Sequence, residues 1–120
     1  MNLDQLIQAV KRHPDYARVG MMLCHVGVVR ATSRDGRPVT GLRVAVDRQR
    51  LAAVLDAQRR RPGIVDIRIE IAADRDLAVG EEVMHLVVAG DIREHVIETL
   101  ADTLNAVKST VTHKTEHFAG

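Results

Sequence analysis

Arg30, Arg93, Lys108, Lys114 and Glu116 are the side chains in this sequence whose types suit chemistry on an anionic reactant. A guanidinium grips phosphate through a planar, bidentate fork. A lysine that sits among other cations, or is partly desolvated, has its pKa lowered toward a range useful for proton transfer or nucleophilic attack. Arg93 falls in the first turn of the helix expected after Gly90, beside free backbone N–H groups that favour an anion. Lys108 falls in that helix's last turn, and Lys114 follows on a strand with Glu116 two residues on. Plainer roles exist for each: Arg93 can pair with Glu94 or Asp91, and Lys108 can compensate the helix dipole. An unbroken helix separates Arg93 from Lys108 by about 22 Å. One copy of the chain therefore does not bring both to one small-molecule pocket, whereas two copies packed together could supply one each.

Other chemistries find less support. The six histidines, His13, His25, His85, His95, His113 and His117, offer no pair at zinc-ligand spacing with a third ligand, so no metal site is expected. Cys24 is the only cysteine. It excludes a disulfide framework within the chain, and its place in an apolar run suggests a small core residue. His25 follows it directly, but strand neighbours point to opposite faces and make no nucleophile–base pair. Charges nearly balance, with 17 Lys and Arg against 16 Asp and Glu, which argues against nucleic-acid binding through the overall field. Tyr16 and Phe118 are the only aromatics, too few for base stacking. The first residues, MNLDQLIQAVKRH, lack the apolar core of a signal peptide, and no stretch is long enough to span a bilayer, so a cytoplasmic protein is expected.

The elements that must position these groups follow from periodicity. Asn2 to Arg12 reads as an amphipathic helix capped by Asn2 and ended by His13-Pro14. Val19 to Val29 is a continuous apolar run, expected as a strand covered on both faces and delivering Arg30 to its rim. Asp35-Gly36 marks a reversal into a strand over Val39 to Val46, with Leu42, Val44 and Val46 inward, and a hairpin is the simplest topology. Asp47 caps a helix to about Arg60, stopped by Pro62-Gly63, and Arg59, Arg60 and Arg61 read as a basic end facing solvent. Ile64 to Ile71 alternates, with Val65, Ile67, Ile69 and Ile71 inward and Asp66, Arg68 and Glu70 on a wet face. A polar turn over Asp74 to Gly80 precedes a central strand, Glu82 to Ala89. Asp91 and Glu94 have capping-box spacing for a helix from Ile92, whose stripe comprises Ile92, Val96, Leu100, Leu104 and Val107. Ser109 to Lys114 suits a last strand. The pattern predicts one α+β domain over residues 1–120, a mixed, mainly antiparallel sheet covered by helices.

The phrases HVGVVR (His25 to Arg30), SRDGRPV (Ser33 to Val39), VGEEV (Val79 to Val83), GDIR (Gly90 to Arg93) and K-x5-K-x-E (Lys108 to Glu116) occur in the order found in the large, catalytic subunit of molybdopterin synthase, which this chain resembles. The resemblance implies an α/β hammerhead fold and a homodimer within a heterotetramer. In that assembly a ubiquitin-like small subunit docks at each end and inserts a C-terminal Gly-Gly thiocarboxylate. It further implies sulfur transfer to cyclic pyranopterin monophosphate, making the dithiolene of molybdopterin, with no cofactor and no metal. On this resemblance Arg30 and Arg93 match arginines that bind the phosphate and pterin, Lys108 the essential lysine, and Lys114 the second lysine, with Glu116 in the same short motif. The chain departs from the family at Ile92, where a histidine is usual, at the Ala72-Ala73-Asp74-Arg75 turn, and in a lysine-to-lysine segment one residue shorter. The alternative reading is a non-catalytic dimeric module that keeps the anion pocket for binding.

Overall fold

Asn2 opens the first helix, α1 (Leu3–Lys11), its side chain accepting from the Asp4 N–H as the sequence suggests. The computed structural model describes residues 1–120. A single 3₁₀ turn, Tyr16–Arg18, leads into β1 (Met21–Val28). Then come β2 (Val39–Val46), α2 (Arg48–Arg59), β3 (Ile64–Ile71), β4 (Asp76–Ala78) and β5 (Glu82–Gly90). The helix α3 (Arg93–Ala106) passes into a π-helical turn, Val107–Val111, and the chain finishes in β6 (Thr112–Phe118).

The strands form two antiparallel sheets of three, ordered β1-β5-β3 and β4-β2-β6. The α+β class stands, but the expected hairpin does not: β1 pairs with β5, and β2 pairs with β4 and β6. Asp35-Gly36 does reverse the chain, yet the reversal closes within its own loop, through Gly36 N–H to the Ser33 carbonyl and a bridge between Thr32 and Pro38. The expected polar turn contains the short strand β4.

β5 is the element both sides share. Leu86 and Val88 pack beneath α3 with Ile64, Ile67 and Val96, while Val87 and Ala89 pack beneath α1 with Val10. Burial on both faces is why this strand is apolar from Leu86 to Ala89. A third cluster joins the two sheets to α2 and the π turn, through Val29, Leu42, Val44, Leu51, Ile71, Leu77, Met84, Val107 and Val111. β1 is not covered on both faces: Cys24, Val26 and Val28 alternate outward and are exposed, so Cys24 is not a core residue. Partial burial still pushes its thiol pKa up.

The wet face expected for β3 holds at Glu70, which is exposed, but not at Asp66, which shares that face and is nevertheless covered. Asp66 is 3% exposed. Its carboxylate accepts from the Ile67 N–H at 2.8 Å and from Arg68 Nε at 2.8 Å, with Arg59 Nε 3.7 Å away. The arginines closing α2 are thus more than a solvated basic end. Arg59 donates to the Ile67 carbonyl, and Arg61 reaches across to Asp102 on α3 at 2.7 Å. Only Arg60 stays on its own helix, paired with Asp56. No helix is long and apolar enough to cross a membrane.

Removing the Asp66 carboxylate leaves two guanidinium groups and a backbone N–H short of their acceptor. Asp66→Ala is expected to cost about 1–3 kcal/mol, read as a lowered urea midpoint at unchanged slope. Arg60→Ala, removing an exposed pair, should stay within about 0.5 kcal/mol, and equal shifts for both would contradict this assignment.

Candidate anion-binding cleft

The π turn places Lys108. After Ala106 the α-helical ladder widens, and the hydroxyl-bearing residues that follow satisfy the carbonyls it frees. Ser109 Oγ donates to the Asn105 carbonyl at 2.7 Å, Thr110 Oγ1 to that of Ala106 at 2.6 Å, and Thr112 Oγ1 to that of Val107 at 3.3 Å. The expected strand start at Ser109 therefore gives way to this turn, and β6 begins at Thr112. Val107 and Val111 are buried on either side of Lys108, which turns outward.

Lys114 and Glu116 are positioned by register. They lie opposite Val44 and Leu42 on β2, so all four share one face of the second sheet. That face closes a cavity of about 590 Å³ between the sheets, a size suited to a small molecule. Residues 25–30, at the end of β1 and just beyond, form the opposite wall with Val83 and Met84. Its polar lining is His25, Arg30, Thr32, Arg34, Lys108, Thr112, Lys114 and Glu116.

Four of the five residues singled out in the sequence, Arg30, Lys108, Lys114 and Glu116, thus meet at one cavity. Glu116 is its only carboxylate, and it lies 4.0 Å from Lys114. No carboxylate comes within ion-pair distance of Arg30, Arg34 or Lys108, although ten arginine–carboxylate pairs form elsewhere. Unneutralised cations around one concavity favour an anionic ligand. His25 and Arg34 were not singled out. Their signal was available: His25 has the strand parity of Gly27 and Val29, and Arg34 sits in the connection that must return from Arg30 to β2.

Arg93 stands apart, in a separate surface depression with Gly20, Met21, Asp91, Ile92 and Glu94. It opens α3 and is exposed, with Nε 3.2 Å from Glu94 Oε1. The helix begins one residue later than expected, and Asp91 is not its cap. Ile92 occupies that position without a side-chain bond, while Asp91 Oδ1 accepts from the Ile92 N–H at 2.7 Å and from His95 Nδ1 at 2.7 Å. The His95 bond foremost holds the Asp91 carboxyl below its usual range. Gly63, at φ +80°, packs against this pair, and a methyl group there would overlap both side chains. The entry to α3 is thereby fixed.

Inorganic pyrophosphate probes the cleft. Arg30→Met and Lys108→Met should each weaken its binding about tenfold or more by calorimetry, whereas Lys11→Met, on α1, should change it less than about twofold. Equal losses for all three would place the bound anion elsewhere.

Comparison with known proteins agrees with this architecture. The family model for MoaE protein matches residues 1–110, which include Lys108 and all but the last residue of the π turn and stop short of β6. Among solved structures, molybdopterin synthase from Staphylococcus aureus is similar at 18% identity and a TM-score of 0.72, over 85% of this chain and 77% of that one. Molybdopterin cofactor biosynthesis protein E from Burkholderia multivorans is similar at 15% identity and a TM-score of 0.76, over 99% and 84%. The complex of subunits 1 and 2 of molybdopterin-converting factor from Helicobacter pylori includes a chain similar at 16% identity and a TM-score of 0.71, over 99% and 84%. No curated protein sequence matches. At such identities the structures establish a shared fold, and the family match establishes membership: this chain belongs to the MoaE family, the large, catalytic subunit of molybdopterin synthase in molybdenum cofactor biosynthesis.

Proposed function

We propose that this chain transfers sulfur from the C-terminal Gly-Gly thiocarboxylate of a ubiquitin-like small subunit to cyclic pyranopterin monophosphate, forming the dithiolene of molybdopterin. The carrying observation is the set of cations without carboxylate partners, Arg30, Arg34 and Lys108, facing one cavity with Lys114 and Glu116. A phosphate and a thiocarboxylate repel each other, and bringing them into contact requires positive charge fixed in advance in a partly dry site. Arg30 holds the phosphate. Lys108 handles the acyl group or its protons, Lys114 assists, and Glu116 limits the charge on Lys114. Each sulfur lost from a thiocarboxylate is replaced at the carbonyl carbon by an oxygen from water, so a dithiolene consumes two thiocarboxylates.

Arg93 belongs to this site across a two-fold interface. α3 runs from Arg93 to Ala106 and the π turn carries Lys108 beyond it, so one copy cannot fold both into its own cavity. The working form on this reading is a homodimer with a small subunit at each end, located in the cytoplasm. The similarity to a chain in the Helicobacter pylori two-subunit complex supports the small-subunit partner.

Incubation with a thiocarboxylated small subunit and cyclic pyranopterin monophosphate, followed by assay for dithiolene product, tests the reaction. Binding of both without product would assign the chain to the non-catalytic alternative. The shared site has its own test. Arg93→Glu and Lys108→Met proteins, each inactive alone, should regain up to about a quarter of wild-type activity when mixed as subunits, because half of the random dimers carry one intact site. No recovery in verified heterodimers would place Arg93 outside the site.

A further inference from the structure

His25 is the one histidine of the cleft, it has no role among those assigned above, and its placement is specific. It lies on the same face of β1 as Gly27 and Val29, opposite Leu86 of β5. A methyl group on Gly27 would come 3.4 Å from His25 Nε2 and 3.2 Å from Val83 Cγ1, so the imidazole lies along the strand, beside the position that a side chain at Gly27 would take. Neither ring nitrogen has a hydrogen-bond partner in the protein, whereas His85, His95 and His117 each pair with a carboxylate.

The charged groups lining the cavity with this ring are mostly cations. Lys108 comes from the π turn, Lys114 from β6, and Arg30 and Arg34 from the β1–β2 connection. Glu116 is the single acid, already near Lys114, and β5 contributes only Val83 and Met84. Partial burial, and after it the charge on Lys108, lower the His25 pKa. In the empty cleft at neutral pH the imidazole is therefore uncharged.

An entering anion reverses that balance. Its charge offsets Lys108 and offers a proton acceptor to a ring nitrogen that lacks one, and both effects favour the imidazolium. We propose that His25 is a further substrate-binding residue of the cleft, neutral when the cleft is empty and protonated when a phosphate-like dianion enters, so that it donates an N–H to that anion beside Arg30 and Lys108. The inference rests on the reading of this cleft as the anion site and adds a proton to the binding equilibrium. The sign follows from linkage. A group whose pKa is higher in the complex strengthens binding as pH falls, by about tenfold per unit of rise, with the full effect reached below the free-state value.

Sulfate is the probe, because it stays dianionic throughout the relevant range and takes up no proton itself. The His25 ring resonances are followed by NMR against pH, without and with saturating sulfate, alongside backbone resonances of Arg30 and Lys108. The free ring should titrate below the ordinary histidine value and move up by about one unit with sulfate. Sulfate affinity should rise as pH falls from about 8 to about 5.5, and His25→Gln should lose most of that rise while keeping wild-type affinity at the upper end. Should the variant not fold, the wild-type ring titration decides alone. Cleft resonances that shift with sulfate while the His25 titration stays put would overturn the inference and leave the anion cleft standing. Sulfate that perturbs no cleft resonance would overturn both.

Discussion

Lys108 owes its position to the two valines around it. Val107 and Val111 are buried in the cluster that joins the two sheets, and the π turn between them is closed by hydroxyl groups returning to helix carbonyls. With both valines anchored, the residue after Val107 has no inward direction left, and the lysine is driven to the cavity. β6 then starts in a register that puts Lys114 and Glu116 across from Val44 and Leu42. The same apolar contacts that weld the sheets together therefore also set the spacing between the two lysines.

The arrangement has an electrostatic cost that the fold leaves unrelieved. Elsewhere most arginines are matched, among them Arg59 and Arg68 at buried Asp66, Arg61 at Asp102 and Glu98, and Arg43 at Asp76, while Arg12, Arg37 and Arg48 are not. At the cleft, Arg30, Arg34 and Lys108 have no such partner, and a single glutamate serves Lys114. Concentrating unpaired cations of one sign costs stability unless a ligand of the opposite sign repays it, the pattern expected of a binding site and not of a structural ion-pair network. Under the proposed function, the phosphate and the thiocarboxylate supply that charge.

Much of this was legible in the sequence where local pattern and tertiary role coincide. The apolar run of β5, the capped α2 and the alternation of β3 all report burial directly, and each element stands within a residue or two of its expected bounds. The convergence of Arg30, Lys108, Lys114 and Glu116 followed from motif order, which carries spatial information that periodicity lacks. The failures share a cause in long-range pairing. β1 and β2 were joined because a reversal signal lay between them, but β5 offered β1 an apolar partner, and β2 found its partners in β4 and β6. Asp66 was placed in solvent because alternation assigns it correctly to the face of Arg68 and Glu70 but does not reveal which part of that face other groups cover. Cys24 was placed in the core because an apolar run does not reveal that an edge strand keeps one face open. Asp91 had the right spacing for a cap, yet its carboxylate was taken by His95.

The central claim is that cations from distant parts of the chain, and from two copies of it, converge on one anionic reactant. The most direct measurement is the position of the phosphate in a crystal structure of the protein with cyclic pyranopterin monophosphate bound. The account predicts phosphate oxygens within hydrogen-bond reach of Arg30, with Lys108 of the same copy and Arg93 of a second copy facing the same ligand. A phosphate seated away from the cavity between the sheets, or enclosed by one copy with Arg93 in open solvent, would contradict it.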